Sequence, residues 1–573
     1  MTLEKLVSDY SCRFELLSVT NLDDWYSMDP LERPQWLYQQ IKRLHREKYH
    51  DNQRLVFTLS QDDEYLHESD ALGLILTNLV ESINQIDISN FFVVLFLARN
   101  QNLIVASEQL LTVSTDPVPI TVEWFGDLAV SSKKLSKTSV NTGYTYNSRV
   151  PLKLSVDSMT PEQRERLLFS DYFCMYPWLH LYVEPSGQTY PCCGYAYRPE
   201  FSVGNTTRQS LIEIWNDRPI RDLRLNMLGD RPTQGCARCY EQERAGFVSM
   251  RISANKHHGH HIDKIDLTQV DGTVDPMQLI YWDVRFNNLC NLRCRTCGPS
   301  FSSSWYQDQV AISPDYAQSH RPLIYAGKYE TDLWNQLLGQ LDYVEQIYFA
   351  GGEPLITDEH YRILEELERR GRFDVRLIYN TNFTEIRLKD RMVFDYWKKF
   401  HSVSVGASLD AADSRGEYIR KGTVWSEVED NRRRMIEICP RVDFYVSATL
   451  SILNAWHLPD FHRDWSKRGL IKPQDFNINV LTDPPVYRLD IAPSEYRDQI
   501  REKYLNHLAW LSPQDALRRA SNGFQSAIKF MDNKNNSHLV PAFWKRTKQL
   551  DAVRKESMLD SIPELSALLP DRI

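Results

Sequence analysis

Asn288-Leu-Cys290-Asn-Leu-Arg-Cys294-Arg-Thr-Cys297-Gly298 places three cysteines at C-x3-C-x2-C in one short loop. The loop follows a strand-like run, Leu279 to Phe286. This spacing lets three thiolates converge on one centre. A cubane iron–sulfur cluster held by three cysteines keeps one iron corner for a ligand from outside the protein. A closed structural zinc site needs four ligands, and no histidine or fourth cysteine stands beside the trio. The open cluster is the better reading.

Beyond the loop the chain reads as a β/α succession. Helical spacing around Tyr329–Leu341 precedes a strand over Glu345–Ala350, the turn Gly351-Gly-Glu-Pro354 and a helix over Asp358–Arg370. Strand Val375–Tyr379, turn Asn380-Thr-Asn-Phe383, helix Lys389–Lys399 and strand Ser402–Ala407 follow. Ser408-Leu-Asp410 ends that strand, and a long loop carries Tyr418-Ile-Arg420-Lys421-Gly422. Helix Val424–Ile438, strand Asp443–Leu450 and a helix near Leu458–Arg468 complete the series. Polar and glycine-rich segments recur at the strands' C-terminal ends, where barrel-type α/β folds build their sites. About six β/α units fit between 275 and 480, which predicts an open, partial (β/α)6 barrel. Residues 481–573 read as mainly helical.

Upstream lies a second cysteine group. Of the ten cysteines (12, 174, 192, 193, 236, 239, 290, 294, 297 and 439), all but 12 and 439 fall in two clusters, which points to metal rather than disulfides. Cys174 precedes a predicted hairpin, His180–Glu184 with Gln188–Cys193, and short helices over Ser210–Trp215 and Ile220–Leu228 lead to Cys236-x2-Cys239. Such a group, within 166–255, can supply four ligands to one centre. Spacing alone suits zinc and iron–sulfur equally; the neighbouring open cluster favours iron–sulfur. Lys256-His-His-Gly-His-His261 reads as a solvated connector rather than a metal site.

The N-terminal 130 residues carry no catalytic motif. Strands over Arg54–Ser60, Phe91–Ala98 and Val118–Trp124, helical spacing over Ala71–Ile86 and an ambiguous run Leu103–Val113 predict a small α/β domain with parallel pairing. Residues 131–165 form a polar linker and an entry helix, with Thr160 as N-cap and Pro161 in the first turn.

Composition sets the class. The 573 residues are 42% hydrophobic and 25% charged, which is globular and large enough for several domains. A net charge of −9 argues against broad nucleic-acid affinity and leaves room for a local basic groove. The N-terminus lacks the apolar core of a signal peptide, and the most apolar window, Phe91–Ala98, is only strand length. A soluble, cytoplasmic protein without membrane partners is expected.

Cys290-x3-Cys294-x2-Cys297 after a first strand, with Gly351-Gly-Glu-Pro354 after the second, resembles the radical SAM superfamily. The resemblance implies a [4Fe–4S] cluster whose open iron binds S-adenosylmethionine, and reductive cleavage to a 5′-deoxyadenosyl radical that abstracts hydrogen from substrate. It implies that Gly351 and Gly352 meet the methionine ammonium, that Glu353 holds the same ammonium or the turn itself, that Ser408 and Arg420 hold the carboxylate, and that Asn382 and Thr449 serve the ribose. The residue before the last cysteine, often aromatic in the superfamily, is Thr296 here, so no adenine contact is assigned by side chain. Residues 174–239 resemble the auxiliary-cluster modules called SPASM and twitch, through Cys174, Gly187-x4-Cys192-Cys193, Gly204-Asn205, Leu211-x3-Trp215 and Cys236-x2-Cys239. That resemblance implies a second [4Fe–4S] cluster on Cys174, Cys236, Cys239 and one of Cys192 or Cys193, in the single-cluster twitch form. The module precedes the barrel here, whereas the usual order places it after.

The implied activity is an oxidoreductase or peptide-modifying type that oxidises or cross-links a peptide or protein, served by a flavodoxin- or ferredoxin-type electron donor. The alternative within the class is a sugar, nucleotide or cofactor precursor. The N-terminal domain reads β-α-β rather than winged helix, against a built-in reader of leader peptides. A non-catalytic zinc-binding interaction protein would account for Cys236-x2-Cys239 but not for the three-cysteine loop paired with Gly-Gly-Glu-Pro. The acid–base residues stay unassigned.

Overall fold

The computed structural model describes residues 159–569, apart from 197, 245–248, 330 and 516–517, together with four strands in the first 158 residues. These four, β1 (Phe14–Ser18), β2 (Arg54–Leu59), β3 (Phe92–Ala98) and β4 (Ile120–Phe125), form a parallel sheet in chain order. Three of them coincide with the runs read from sequence; β1 was not anticipated. The helical spacing at 71–86, the ambiguous run 103–113 and most of the linker lie outside the described residues. The chain forms two compact units, residues 1–175 with 225–266, and residues 176–224 with 267–573.

In the first unit, Thr160 caps the helix Pro161–Arg164 through a capping box with Gln163. The histidine run does not form a solvated connector. It closes the helix Met250–His258 and opens the 3-10 stretch Gly259–Leu267, and His258 is buried.

The second unit is built on a nine-stranded sheet, ordered β17-β16-β14-β11-β10-β8-β5-β6-β7. Its members are β5 (His180–Val183), β6 (Gln188–Tyr190), β7 (Gly204–Asn205), β8 (Tyr281–Val284), β10 (Gln346–Phe349), β11 (Arg376–Thr381), β14 (Val403–Ala407), β16 (Asp443–Leu450) and β17 (Phe476–Val480). Two ribbons complete the strands: β9 (Arg293–Cys294) with β15 (Arg420–Lys421), and β12 (Arg387–Leu388) with β13 (Arg391–Met392). From β8 to β17 every pairing is parallel and follows chain order. Each right-handed crossover then adds the next strand to the same edge, so the helices collect on one face and the sheet winds in one direction. This is the partial (β/α)6 barrel expected from sequence. Its last strand, β17, was not located there.

Side-chain alternation divides the two faces. Phe349, Leu377, Val405, Val446 and Phe476 are buried on the helix-covered face, where Trp397 meets Tyr379 at 5.0 Å and Phe461 meets Phe476 at 5.7 Å between ring centres. Strand register places Asp283, Tyr348, Arg376, Ser404, Asp443 and Asn477 on the opposite face. Parallel strands buried on both sides read as unbroken apolar runs. Alternation here means the inner face is polar, as a binding interior requires.

Other differences from the sequence reading are local. The expected helix Lys389–Lys399 is shorter, Val393–Trp397, because Lys389 adopts φ +58° in the turn between β12 and β13. The expected long loop around Tyr418 is mostly the helix Asp413–Ile419, followed by β15. The hairpin of β5 and β6 forms as read, but β5 also pairs in parallel with β8. The hairpin therefore extends the barrel sheet. Beyond 480 the chain is mainly helical, with Ser494–Leu511, Arg519–Asn533 and Val540–Arg554 as its longest members.

Candidate metal centre

The three-cysteine loop is fixed by its own backbone. Asn288 donates to the carbonyls of Pro299 and Pro322, at 2.8 and 3.0 Å, and accepts from the Ile324 amide. The Cys290 carbonyl accepts from Ser304 Oγ at 2.6 Å, and the Cys294 carbonyl from Trp305 Nε1 at 2.7 Å. Pairing of β9 with β15 sets Arg420 opposite Cys294, with guanidinium Nη1 3.7 Å from Cys294 Sγ. Asn382 Nδ2 stands 4.0 Å from Cys290 Sγ.

Burial raises the pKa of all three thiols, and neighbouring sulfurs raise Cys290 and Cys297 further. Cys297 is pushed up to about 12. Crowded, desolvated sulfurs beside a guanidinium suit a metal group that takes the place of their protons. Three thiols with no fourth side-chain ligand beside them among the described residues also match an open cluster corner. Because the thiols hold their protons at neutral pH, loading must release them. Iron uptake by the apoprotein is therefore expected to quicken as pH rises from about 7 to about 9, followed by absorbance under anaerobic conditions. A flat profile would count against thiol deprotonation as the controlling step.

The glycine turn packs onto this loop. Gly351 adopts φ +123°, a region that favours glycine. A Cβ on Gly352 would lie 2.1 Å from the Leu289 carbonyl oxygen, one residue before Cys290. Gly352→Ala must push the two backbones apart, and is expected to cost about 3 kcal/mol or more. Urea unfolding together with iron content would measure this; a wild-type midpoint would refute the close approach. Glu353 is buried and commits both oxygens locally. Oε1 accepts from Thr381 Oγ1 at 2.7 Å and the Leu355 amide at 3.0 Å, and Oε2 from the Asn382 amide at 2.7 Å. Burial pushes its carboxyl up to about 7. Its contacts tie the turn to the end of β11.

Arg420 forks onto Asp410, Nε at 2.8 Å and Nη2 at 3.1 Å. Asp410, fully buried, also accepts from the Thr449 amide at 2.8 Å, and its carbonyl accepts from Asn454. Thr449 thus enters the arrangement through its backbone. Asn382 spends its amide on Asn291 at 2.8 Å and its oxygen on Thr384, bracing the cysteine loop. Ser408 donates its amide to the Thr381 carbonyl at 2.7 Å.

Sequence reasoning missed the ion network behind the loop. Arg295, between Cys294 and Thr296, is buried over the Tyr418 ring and paired with Asp551 and Glu556. Arg293 and Arg554 meet on Asp308, at 2.7 and 2.8 Å. Asp551 and Arg554 belong to the helix Val540–Arg554, which these pairs tie to the segment around the cysteines. Asp410 was quoted without a role; its position at a strand end was the one available signal.

The second cysteine group is divided. In the first unit, Cys236 and Cys239 flank the start of the helix Ala237–Arg244. Burial, then the nearby Cys239, pushes the Cys236 thiol up to about 12. Arg251 holds Glu243 and donates to the carbonyls of Ser170 and Phe173, at 2.8 and 3.0 Å, fixing the chain just before Cys174. In the second unit, Cys192 and Cys193 follow β6, and Cys193 faces the buried Asp283 carboxyl.

Residues 174–240 match the model of SPASM, an iron–sulfur cluster-binding domain. The stretch holds Cys174, Cys192, Cys193, Cys236 and Cys239. No curated protein matches the chain. Among solved structures, the chain is similar to native anSMEcpe with bound AdoMet and Cp18Cys peptide, at 16% identity and TM-score 0.25, over 39% of this chain and 58% of that one. It is similar to the same protein with Kp18Cys peptide, at 18% identity and TM-score 0.28, over 40% and 59%. Streptococcus suis SuiB bound to S-adenosylmethionine gives 12% identity and TM-score 0.26, over 58% and 69%. The chain thus spans less than two thirds of the first two structures it matches. Among the described residues no helix is long and apolar enough to cross a membrane.

Proposed function

We propose that this SPASM-bearing chain is a radical SAM enzyme that modifies a peptide or protein by oxidation or cross-linking. The observation that carries the reading is the convergence of Cys290, Cys294 and Cys297 with Arg420 on one side and the Gly351–Gly352 backbone on the other. Cys290, Cys294 and Cys297 would hold a [4Fe–4S] cluster, which once reduced by one electron would supply the reductive cleavage of bound S-adenosylmethionine. Arg420 is aimed by Asp410, so its remaining edge can take the methionine carboxylate. Gly351 and Gly352 leave backbone where a side chain would block the ammonium. Ser408 and Thr449 stand at the ends of the next strands for the remaining polar groups, and Asn382 holds the loop in place. Cys174, Cys236, Cys239 and one of Cys192 or Cys193 are assigned to the auxiliary cluster, and a flavodoxin- or ferredoxin-type protein to electron delivery.

Anaerobic reconstitution tests the reading. About eight iron per chain and a brown chromophore are expected, with 5′-deoxyadenosine released from S-adenosylmethionine once dithionite reduces the cluster. Stoichiometric zinc without S-adenosylmethionine cleavage would overturn it in favour of a binding module.

A further inference from the structure

Asp283 and Arg285 stand two residues apart at the C-terminal end of β8, so both belong to the polar inner face. Asp283 is fully buried, and its Oδ1 holds Arg285 Nε at 3.3 Å. The guanidinium carbon lies 4.6 Å from the centre of the Tyr182 ring, on neighbouring β5. The stem of Arg285 rests on the glycine turn; a Cβ on Gly351 would meet Arg285 Cβ at 3.1 Å. Strand, ring and turn therefore fix where the fork points. Its two Nη groups have no hydrogen-bond acceptor among the described residues, and the side chain remains 17% exposed. Asn380, on the same inner face, likewise makes no side-chain hydrogen bond among the described residues.

We propose that Arg285 is the anchor for a carboxylate on the substrate. An aimed guanidinium with a free Nη edge offers two parallel donors, which match a carboxylate's two oxygens. The charged and titratable groups facing it are Asp283, Glu184, Tyr182, Tyr348 and Cys193. Two of these are carboxyls, so a doubly charged phosphate meets more repulsion here than a singly charged carboxylate does. The anchor's stem touches the Gly351 turn, so a substrate gripped there lies beside the S-adenosylmethionine site. In this last respect the inference rests on the radical SAM reading. The carboxylate belongs either to a free small acid or to a peptide, through its C-terminus or an acidic side chain.

The test uses the full chain, loaded anaerobically with iron and sulfide and saturated with S-adenosylmethionine. Binding of succinate is followed by line broadening of its proton resonance. Arg285→Gln is expected to weaken binding about tenfold or more, and Arg285→Lys to restore part of it, since the charge returns without the fork. Succinamide and inorganic phosphate should bind more weakly than succinate. Tighter binding of an acetylated dipeptide acid than of succinate would assign the carboxylate to a peptide, and the reverse order to a small acid. Equal succinate binding by wild type and Arg285→Gln, at matched iron content and circular dichroism, overturns the proposal, as does no binding by wild type. Release of 5′-deoxyadenosine is scored separately. A protein that cleaves S-adenosylmethionine without Arg285-dependent binding loses only the anchor; one that binds through Arg285 without cleavage loses only the radical SAM reading.

Discussion

Cys294→Ala is expected to abolish 5′-deoxyadenosine formation while leaving about half of the wild-type iron, roughly four of eight atoms per chain. Cys294 is the middle cysteine of the trio, and its backbone is held on both sides, by β15 and by Trp305. Alanine keeps that backbone and removes only the sulfur. Two remaining thiols cannot retain a cubane against loss of iron, and Arg420 loses the sulfur it stands 3.7 Å from. The cysteines of residues 174–240 lie elsewhere in sequence, so a cluster on them is expected to load on its own. Iron and sulfide assay with product chromatography reads both halves of the expectation. Full iron content with unimpaired S-adenosylmethionine cleavage would show that Cys294 is not a ligand.

Asp410→Ala should be the most destabilising change to a charged residue at the site, at about 3–5 kcal/mol. The carboxylate is fully buried, and Arg420 is largely so. Removing Asp410 leaves a guanidinium without its counter-ion and the Thr449 amide without its acceptor. The two deletions share one interaction, so Asp410→Ala with Arg420→Ala should cost clearly less than the sum of the single changes. Asp410→Asn, which preserves an acceptor but not the charge, should fall between. Urea unfolding of the four proteins tests the coupling, and strict additivity would deny it. Function should fall with stability, because Asp410 also aims the Arg420 fork opposite Cys294.

Much of this architecture was legible in the order of residues. The β8 run, the cysteine loop and the Gly351-Gly352-Glu353-Pro354 turn each lie within one short stretch, and the alternation of strand and helix signals between them implies parallel crossovers. The cap at Thr160 and the hairpin of β5 and β6 were legible for the same reason. Less legible were elements whose identity depends on packing. Asp413–Ile419 becomes helical beside a loop-like motif, and Lys389 breaks an apparent helix by turning between two short strands. The histidines at 257–261 look solvated by composition, yet neighbours in the fold bury His258.

The sequence by itself determined the spacing of the three cysteines and the glycine pair of the following turn, because each lies within a few residues. It also determined the winding of the barrel, through the chain order of its strands. Only the tertiary structure decided that Asp410 aims Arg420, that Arg295 is held by Asp551 and Glu556 more than 250 residues away, and that the hairpin extends the sheet alongside β8. Ion pairs between distant segments have no period or spacing to betray them; they exist only where the fold brings opposite charges together out of water. The same holds for Arg285. One arginine after a strand is unremarkable in sequence, and becomes a candidate anchor only once Asp283, Tyr182 and Gly351 fix it on the polar inner face.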